Sequence, residues 1–309
     1  MGSKITIIGA GSVGATIAYN LSQSEYTSEI VLIDINEQKA EGEVIDIVQG
    51  TCFRNPISIK AGGYEDAADS DIVIITSGIA RKPGQTRLEL VKTNVGIMKS
   101  IAPQIAKTAP NAKYIIVSNP VDIMTYAFIK VSGIPEKQVI GSGTSLDTAR
   151  LRFGLSEELG IAQKNIHSYV FGEHGDTSFI PWSCTFVAGQ QVDEYLEMKN
   201  KSIDKDAVLE YVKKSGGEII AKKGATFYAV AIAVVKLVEV LLASSSSMVT
   251  VSTMMHGEYG LEDVCLSILT QVGPEGVDER IPVKLTEEEL VKIRHSAEVL
   301  KDIIGQLEW

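Results

Sequence analysis

Residues 4–14 have the sequence KITIIGAGSVG, in which an apolar run is followed at once by a glycine-rich turn. Gly9, Gly11 and Gly14 have the GxGxxG spacing, and residues 13–22 after them have a helical pattern. In a strand–turn–helix context the first glycine permits the tight turn, and the second lets the backbone approach a pyrophosphate. The third allows the helix to pack closely on the strand. The stretch therefore predicts a dinucleotide site, with the helix N-terminus directed at the phosphates.

Asp34 indicates which dinucleotide is bound. It follows the next apolar run, residues 30–33, and lies 20 residues beyond Gly14. A carboxylate at this distance accepts hydrogen bonds from the ribose 2′-hydroxyl, and it repels a 2′-phosphate. The sequence therefore predicts NAD rather than NADP.

Short β-branched runs alternate with helical patterns through the first half of the chain. The strand candidates are residues 5–8, 30–33, 71–75, 114–117 and 139–140, and the helical stretches between them include 13–22 and 88–107. Continuous apolar runs are typical of parallel strands that are covered on both faces. We therefore expect an α/β fold with a doubly wound parallel sheet of the Rossmann type.

Beyond residue 143 the pattern changes to mixed strands and helices. Helices are predicted over residues 145–159, 205–222, 226–242 and 286–307, and strands near 167–171, 183–187, 249–253 and 264–271. We expect two domains on this basis. Residues 1–143 would form the NAD-binding Rossmann domain, and residues 144–309 an α+β domain that carries the substrate and catalytic residues.

Composition excludes several classes of function. The 39 acidic and 29 basic side chains give a net charge of −10, which disfavours nucleic acid and anionic membrane surfaces as partners. The three cysteines are far apart and outside any CxxC pair, so neither a disulfide framework nor a zinc site is expected. The longest apolar stretch, residues 228–242, is shorter than the ~20 residues of a spanning helix. A cytoplasmic protein without a metal is the expectation.

Two segments of the second half carry candidate acid–base chemistry. Residues 143–150, GTSLDTAR, place Asp147 and Arg150 three positions apart, on one face of a helix. Residues 172–176, GEHGD, place His174 in a glycine-containing loop, from which an imidazole can project into a cleft. By itself, a histidine in such a loop is more often a solvated residue than a catalyst. No second histidine or cysteine stands at ligand spacing from it, so a metal site is disfavoured.

Together these motifs resemble those of the L-lactate/malate dehydrogenase family over essentially the full chain. The matching segments are the GxGxxG turn, RKPGQTR at residues 81–87, SNP at 118–120, LDTAR at 146–150 and GEHGD at 172–176. The body of the sequence is similar to the lactate branch. The resemblance implies an NAD-dependent enzyme that transfers a hydride reversibly between NADH and a small 2-keto acid such as pyruvate.

The resemblance also implies catalytic roles. His174 would donate a proton to the keto oxygen, and Asp147 would bind its other ring nitrogen and fix the tautomer. Arg87 would polarise the substrate carbonyl when its loop closes and expels water.

Binding roles follow from the same resemblance. Arg150 and Arg87 would bind the substrate, with Arg150 holding its carboxylate in a bidentate contact. Asn119 would hydrogen-bond the keto oxygen, and Thr226 would line the side-chain pocket. The cofactor would be bound by Gly9, Gly11, Val13, Gly14, Asp34 and Asn119.

Arg81 leaves the substrate open between two keto acids. It occupies the position that resembles the specificity residue of the family, where lactate dehydrogenases usually carry glutamine and malate dehydrogenases carry arginine. An arginine there would pair with the second carboxylate of oxaloacetate. An outward, solvated Arg81 is the other interpretation. Lactate dehydrogenase is therefore the expected activity, and malate dehydrogenase is the alternative.

Arg152 and His167 point to regulation. They resemble the pair with which bacterial lactate dehydrogenases hold fructose 1,6-bisphosphate between the subunits of a tetramer. The resemblance therefore implies a homotetramer with this effector. A structural pairing of Arg152 with a neighbouring acid is the competing interpretation.

An alternative of a different class is a Rossmann module that binds NAD as a sensor and catalyses nothing. The joint presence of Arg87, Asp147, Arg150 and His174 argues against it. An assay of NADH oxidation with pyruvate or oxaloacetate distinguishes the two interpretations.

Overall fold

A computed structural model describes residues 2–54, 56–79, 84 and 86–309 of the chain. Its strands are β1 (Ser3–Ile8), β2 (Thr27–Ile33), β3 (Ser58–Ala61), β4 (Ile72–Ile75), β5 (Lys113–Ile116), β6 (Val139–Gly141), β7 (Ile166–His167), β8 (Phe186–Val187), β9 (Gln190–Gln191), β10 (Ser247–His256), β11 (Glu262–Gly273) and β12 (Gly276–Arg280). Its α-helices are α1 (Ser12–Leu21), α2 (Glu37–Gly50), α3 (Arg87–Thr108), α4 (Val121–Ser132), α5 (Ser145–Leu159), α6 (Val192–Met198), α7 (Lys205–Lys223), α8 (Tyr228–Leu242) and α9 (Glu287–Ile304).

One large sheet has the strand order β12-β11-β10-β6-β5-β4-β1-β2-β3. Strands β1 to β6 pair in parallel, with Ile5 of β1 opposite both Ile30 of β2 and Ile72 of β4. The order reverses between β1 and β4, so the carboxyl ends of these two strands border a crevice at the topological switch point. The predicted doubly wound parallel sheet is confirmed.

Both faces of this sheet are buried, which explains the continuous apolar runs. Ile5 and Ile7 pack on one face with the buried residues of α1 and α8. Ile8 and Val73 pack on the other face with those of α3 and α4. In the described part of the chain no helix is long and apolar enough to cross a membrane.

The first and second halves of the chain meet in the same sheet. Ser252 of β10 pairs with Gly141 of β6. Gly143, two residues after Gly141, has a φ of +50°. A Cβ on Gly143 would lie 2.6 Å from the backbone nitrogen of Ser252. Glycine is therefore needed for the close approach. The predicted domain division at residues 143 and 144 falls directly after this junction and stays a prediction.

The strands predicted near residues 167–171 and 183–187 are shorter in the structure. The paired strands that remain are β7 and β8. Residues 182–184 form a 3-10 turn before β8, and side chains of α5 and of its N-cap residue bind the backbone beyond β7. The N–H of Val170 donates to Thr148 Oγ1 at 3.0 Å, and the hydroxyl of Thr144 donates to the carbonyl of Val170. These bonds attach the segment to α5, and the GEHGD loop follows immediately.

Candidate active site

The glycine turn after β1 has a shape that side chains would prevent. Gly9 has φ +113, and a Cβ on Gly14 would lie 1.8 Å from the carbonyl oxygen of Gly9. A Cβ on Gly11 would meet no atom of the described residues within 4 Å, so the backbone there is open on the side of those residues. Val13 lies in the first turn of α1 and is partly buried. The turn is therefore fixed by sterics at two glycines and is accessible at the third.

A cleft of about 930 Å³ lies at the switch point of the sheet. Gly9, Gly11 and Asp34 line it, together with residues 76–79 after β4. Asp34 Oδ2 accepts the N–H of Ala10 at 2.6 Å, which joins the end of β2 to the glycine turn. The volume, the helix N-terminus and the carboxylate suit a dinucleotide.

Asp147, Arg150 and His174 come together as the sequence predicted. The ring Nδ1 of His174 lies 2.5 Å from Asp147 Oδ2, and Arg150 Nη1 donates to Asp147 Oδ1 at 3.1 Å. The acid and the arginine are one turn apart on α5, with side chains 8% and 13% exposed, whereas the imidazole is 27% exposed. The carboxylate is thus held between two cations, and one edge of the imidazole remains accessible.

This arrangement favours a charged imidazole. The negative charge of Asp147 raises the pKa of His174 to about 9, although burial acts in the opposite direction. Burial acts to raise the pKa of Asp147, but the charges and hydrogen bonds of His174 and Arg150 outweigh it and lower the pKa. At neutral pH the pair is therefore an imidazolium and a carboxylate, so His174 holds a proton that it can donate.

A small cavity of about 40 Å³ lies against His174. Asn119, which follows β5, lines it together with Leu146 of α5 and Val230 of α8. Thr226, which was predicted to line the side-chain pocket, is not among the described residues that line this cavity. It lies just before α8 and is partly buried. The cavity therefore joins Asn119 to the histidine, and α8 contributes an apolar wall.

Arg87 is the first residue of α3 and forms an ion pair with Glu173, the residue before the histidine. The side chain of Glu173 is 2% exposed, and it also accepts the hydroxyl of Thr177 at 2.7 Å. The guanidinium is 42% exposed and lies 3.9 Å from Asp176. Arg87 is therefore beside the His174 loop, with its side chain paired to the buried carboxylate of Glu173. Arg81 lies outside the described residues.

Arg152 of α5 contacts the two residues that follow His167, which is the last residue of β7. Arg152 Nε donates to the carbonyl of Ser168 at 3.1 Å, and its guanidinium lies 5.4 Å from the ring centroid of Tyr169. Within the described ranges no carboxylate lies at ion-pair distance from it. His167 is exposed on β7. Among the described residues, Arg152 therefore has no acidic partner.

Two buried acids at this site were not assigned from the sequence. Glu173 binds Arg87, and Asp122 of α4 accepts the backbone N–H of His174 at 2.8 Å. An acid in the first turn of a helix is ordinary, so the position of Asp122 carried no signal. Among the described residues no group of three His, Cys, Asp or Glu side chains could hold a metal.

Comparison with known proteins identifies one family over nearly the whole chain. The family model described as lactate/malate dehydrogenase, NAD binding domain, matches residues 3–141. The model for the alpha/beta C-terminal domain of the same family matches residues 144–308. The resemblance inferred from the sequence motifs is therefore confirmed.

Individual relatives give the same result. L-lactate dehydrogenase 1 of Clostridium acetobutylicum is 46% identical over 308 residues, covering 99% of this chain and 98% of that protein. L-lactate dehydrogenase of Acetivibrio thermocellus is 47% identical, covering 99% and 97%. The crystal structure of minor L-lactate dehydrogenase from Enterococcus mundtii, in the ligands-bound form, has a TM-score of 0.96 and 36% identity, with 99% of both chains covered.

Proposed function

The chain belongs to the lactate/malate dehydrogenase family, and we propose that it reduces pyruvate to L-lactate reversibly. It is an NAD-dependent oxidoreductase of the L-lactate dehydrogenase type. The observation that carries the proposal is the 2.5 Å contact between His174 Nδ1 and Asp147 Oδ2 beside Arg150. A protonated imidazole next to a carboxylate-binding cation is what the reduction of a 2-keto acid requires.

The residues of the cleft fit the cofactor. The open backbone at Gly11 and the N-terminus of α1 would bind the pyrophosphate, and Asp34 would accept the ribose hydroxyls. The neighbouring Gly9, Val13 and Gly14 shape this turn, and Asn119 would contact the nicotinamide end. When bound, NADH supplies the hydride that reduces the keto carbon.

Each active-site residue then has a separate task. Arg150 binds the substrate carboxylate through the donors that Asp147 leaves unused. His174 donates the proton from Nε2 to the keto oxygen, while Asp147 keeps Nδ1 bound and stabilises the charged ring. Arg87 exchanges Glu173 for the keto oxygen and, with Asn119, stabilises the charge that develops there.

The ultraviolet absorbance of NADH, measured with pyruvate and oxaloacetate in parallel, tests the proposal. We expect oxidation of NADH with pyruvate. If neither keto acid causes oxidation while NADH still binds, the non-catalytic NAD module is the correct interpretation.

Arg81 favours malate dehydrogenase as the second candidate function. A charge-assisted pair with the second carboxylate of oxaloacetate would supply binding energy that the methyl group of pyruvate cannot supply. The same assay decides between them, because a higher kcat/KM with oxaloacetate assigns the malate activity.

We also propose a homotetramer that fructose 1,6-bisphosphate activates through Arg152 and His167. The support is a cation without an acidic partner among the described residues and an exposed histidine close to it in sequence. Such groups, repeated across a two-fold axis, would repel each other until a bisphosphate binds. The effector should lower the half-saturating pyruvate concentration, and identical saturation curves over a range of pH would remove the regulatory claim.

A cytoplasmic location is part of the proposal. Cys52, Cys184 and Cys265 are all free thiols, as is usual in a reducing compartment. Subcellular fractionation followed by the NADH assay tests the location.

A further inference from the structure

Asp122 is a buried carboxylate that binds the catalytic loop from a second helix. It lies in the first turn of α4 and is 2% exposed. Its Oδ2 accepts the backbone N–H of His174 at 2.8 Å, and its Oδ1 accepts the hydroxyl of Ser252 at 2.6 Å. One carboxylate therefore connects α4, the GEHGD loop and β10.

These contacts lie at the junction of the two halves of the chain. Ser252 is the residue of β10 that pairs with Gly141 of β6. Asp122 follows Asn119 by three residues, so the turn that carries Asn119 is joined to the backbone of His174. The position of the histidine relative to Asn119 therefore depends on this carboxylate.

The local environment stabilises the charge of Asp122 poorly. Burial raises the pKa of Asp122 to about 6, although Ser252 and the amide of His174 donate to it. Glu289 of α9 is buried to a similar degree and accepts the hydroxyl of Ser183 at 2.5 Å and its N–H at 3.1 Å. Burial also acts to raise the pKa of Glu289, but the hydrogen bonds that Glu289 accepts outweigh burial, and its pKa is lowered. Asp122 thus carries a charge at a cost that Glu289 avoids.

We propose that Asp122 is a positioning residue for the reaction, which fixes the backbone of His174 relative to Asn119 and adds a second negative charge that holds the proton on the imidazole. The inference rests on the proposed acid–base role of His174. The inference concerns what keeps the proton on the imidazole of His174. It does not concern whether His174 donates that proton to the substrate.

Other charges also act on the imidazole. Among the residues that the structure describes, the charged or titratable groups around His174 and Asp122 are Asp147 and Arg150 from α5, Glu173 in the same loop, its partner Arg87 from α3, and Cys265 from β11. Asp147 has the largest effect on the pKa of His174, and Arg150 opposes it. Asp122 therefore adds a smaller effect of the same sign as that of Asp147.

Asp122→Asn tests the inference, because it removes the charge and keeps the shape. The amide oxygen can still accept the N–H of His174, and the hydroxyl of Ser252 can rotate to accept from the amide nitrogen. The measurement is kcat/KM for keto-acid reduction against pH, in which the alkaline limb follows the loss of the proton from His174. We expect this limb to move to lower pH by about half a unit or more, and kcat to fall about tenfold. The affinity for NADH, measured by fluorescence, should stay within about twofold.

Glu289→Gln is the matched control. It neutralises a buried carboxylate that accepts the hydroxyl and the N–H of Ser183 and the N–H of Thr286, but that makes no hydrogen bond to His174 in the described part of the chain. We expect a lower Tm and an alkaline limb at the parental pH. An Asp122→Asn limb that coincides with the parental one, or an equal shift in the Glu289→Gln control, would overturn the inference.

Ser252→Ala keeps the inference testable if Asp122→Asn does not fold. It removes a hydrogen bond that lowers the pKa of Asp122, but the carboxylate is still ionised at the pH of the alkaline limb. We therefore expect kcat to fall several-fold while the alkaline limb and the affinity for NADH stay near the parental values. A parental kcat in this variant would contradict the positioning role. A parent that reduces neither keto acid would overturn the proposed function itself, and the inference with it.

Discussion

The glycine turn after β1 holds its shape through backbone sterics, whereas the His174 loop is held by charges and hydrogen bonds from other elements. In the turn, a Cβ on Gly14 would lie 1.8 Å from the Gly9 carbonyl, five positions away. In the loop, His174 is bound by Asp147 from 27 positions away and by Asp122 from 52 positions away. In the proposed mechanism the turn serves cofactor binding and the loop serves proton transfer, so substitutions in the two regions should have different effects.

His174→Asn should give the largest effect. Without the positioned acid, turnover with pyruvate should fall by about 10²–10⁴, while NADH still binds because the glycine turn is untouched. Steady-state kinetics and NADH fluorescence measure the two quantities. His256→Asn is the control, because His256 also pairs with a carboxylate, Glu136 at 2.6 Å, on the surface. Near-parental turnover in His174→Asn would remove the acid–base assignment.

Gly14→Ala should act through the fold of the turn. Its new methyl group would collide with the carbonyl of Gly9, so we expect a loss of stability of about 1–3 kcal/mol and a weaker affinity for NADH. Gly11→Ala separates the two effects, because its methyl group meets none of the described residues within 4 Å. It should keep the parental Tm and weaken only NADH binding. Equal Tm values for parent and Gly14→Ala would show that the turn is not sterically fixed.

Arg81→Gln should change the preference between oxaloacetate and pyruvate. It should leave NADH binding at the glycine turn and proton transfer at the His174 loop unaffected. If the guanidinium pairs with the far carboxylate of oxaloacetate, its loss should shift the ratio of kcat/KM values toward pyruvate by about tenfold or more. The measurement is the two-substrate NADH assay on parent and variant. A ratio within about twofold of the parent would place Arg81 outside the substrate contacts.

Asp34→Asn should have the smallest effect of these four substitutions. The parent should prefer NADH to NADPH, because the carboxylate repels a 2′-phosphate, and the amide should reduce this preference several-fold. Pyruvate kinetics with each cofactor measure the preference. Turnover at saturating NADH should stay near the parental value, since Asp34 lines the cofactor cleft whereas His174 lines the separate small cavity. Similar efficiencies of NADH and NADPH in the parent would show that Asp34 does not bind the ribose.

Local patterns were predictable from the sequence for a physical reason. The GxGxxG spacing, the carboxylate of Asp34 and the one-turn separation of Asp147 and Arg150 depend on backbone geometry over short distances. The continuous apolar runs likewise predicted a parallel sheet that is buried on both faces.

Partners that tertiary structure selects were not predictable. Nothing in the sequence distinguishes Asp122 from an ordinary acid in a first helical turn, or indicates that Glu173 binds Arg87. The strand expected over residues 167–171 was shortened because Thr148 and Thr144 bind the backbone of Val170. In each case the deciding contact comes from a distant part of the chain.

The pH dependence of the unmodified enzyme, followed in both directions, tests the acid–base role of His174 most directly. In the proposed mechanism, reduction needs the imidazolium of His174 and oxidation needs its neutral ring. The pKa of His174 is raised to about 9, chiefly by the charge of Asp147. Reduction of pyruvate should therefore be lost as the pH rises through about 9, and oxidation of L-lactate should increase over the same range. Asp147→Asn should move both changes to lower pH. Contradiction would come from changes centred near pH ~6.5, the value of an unperturbed histidine, or from parallel profiles in the two directions.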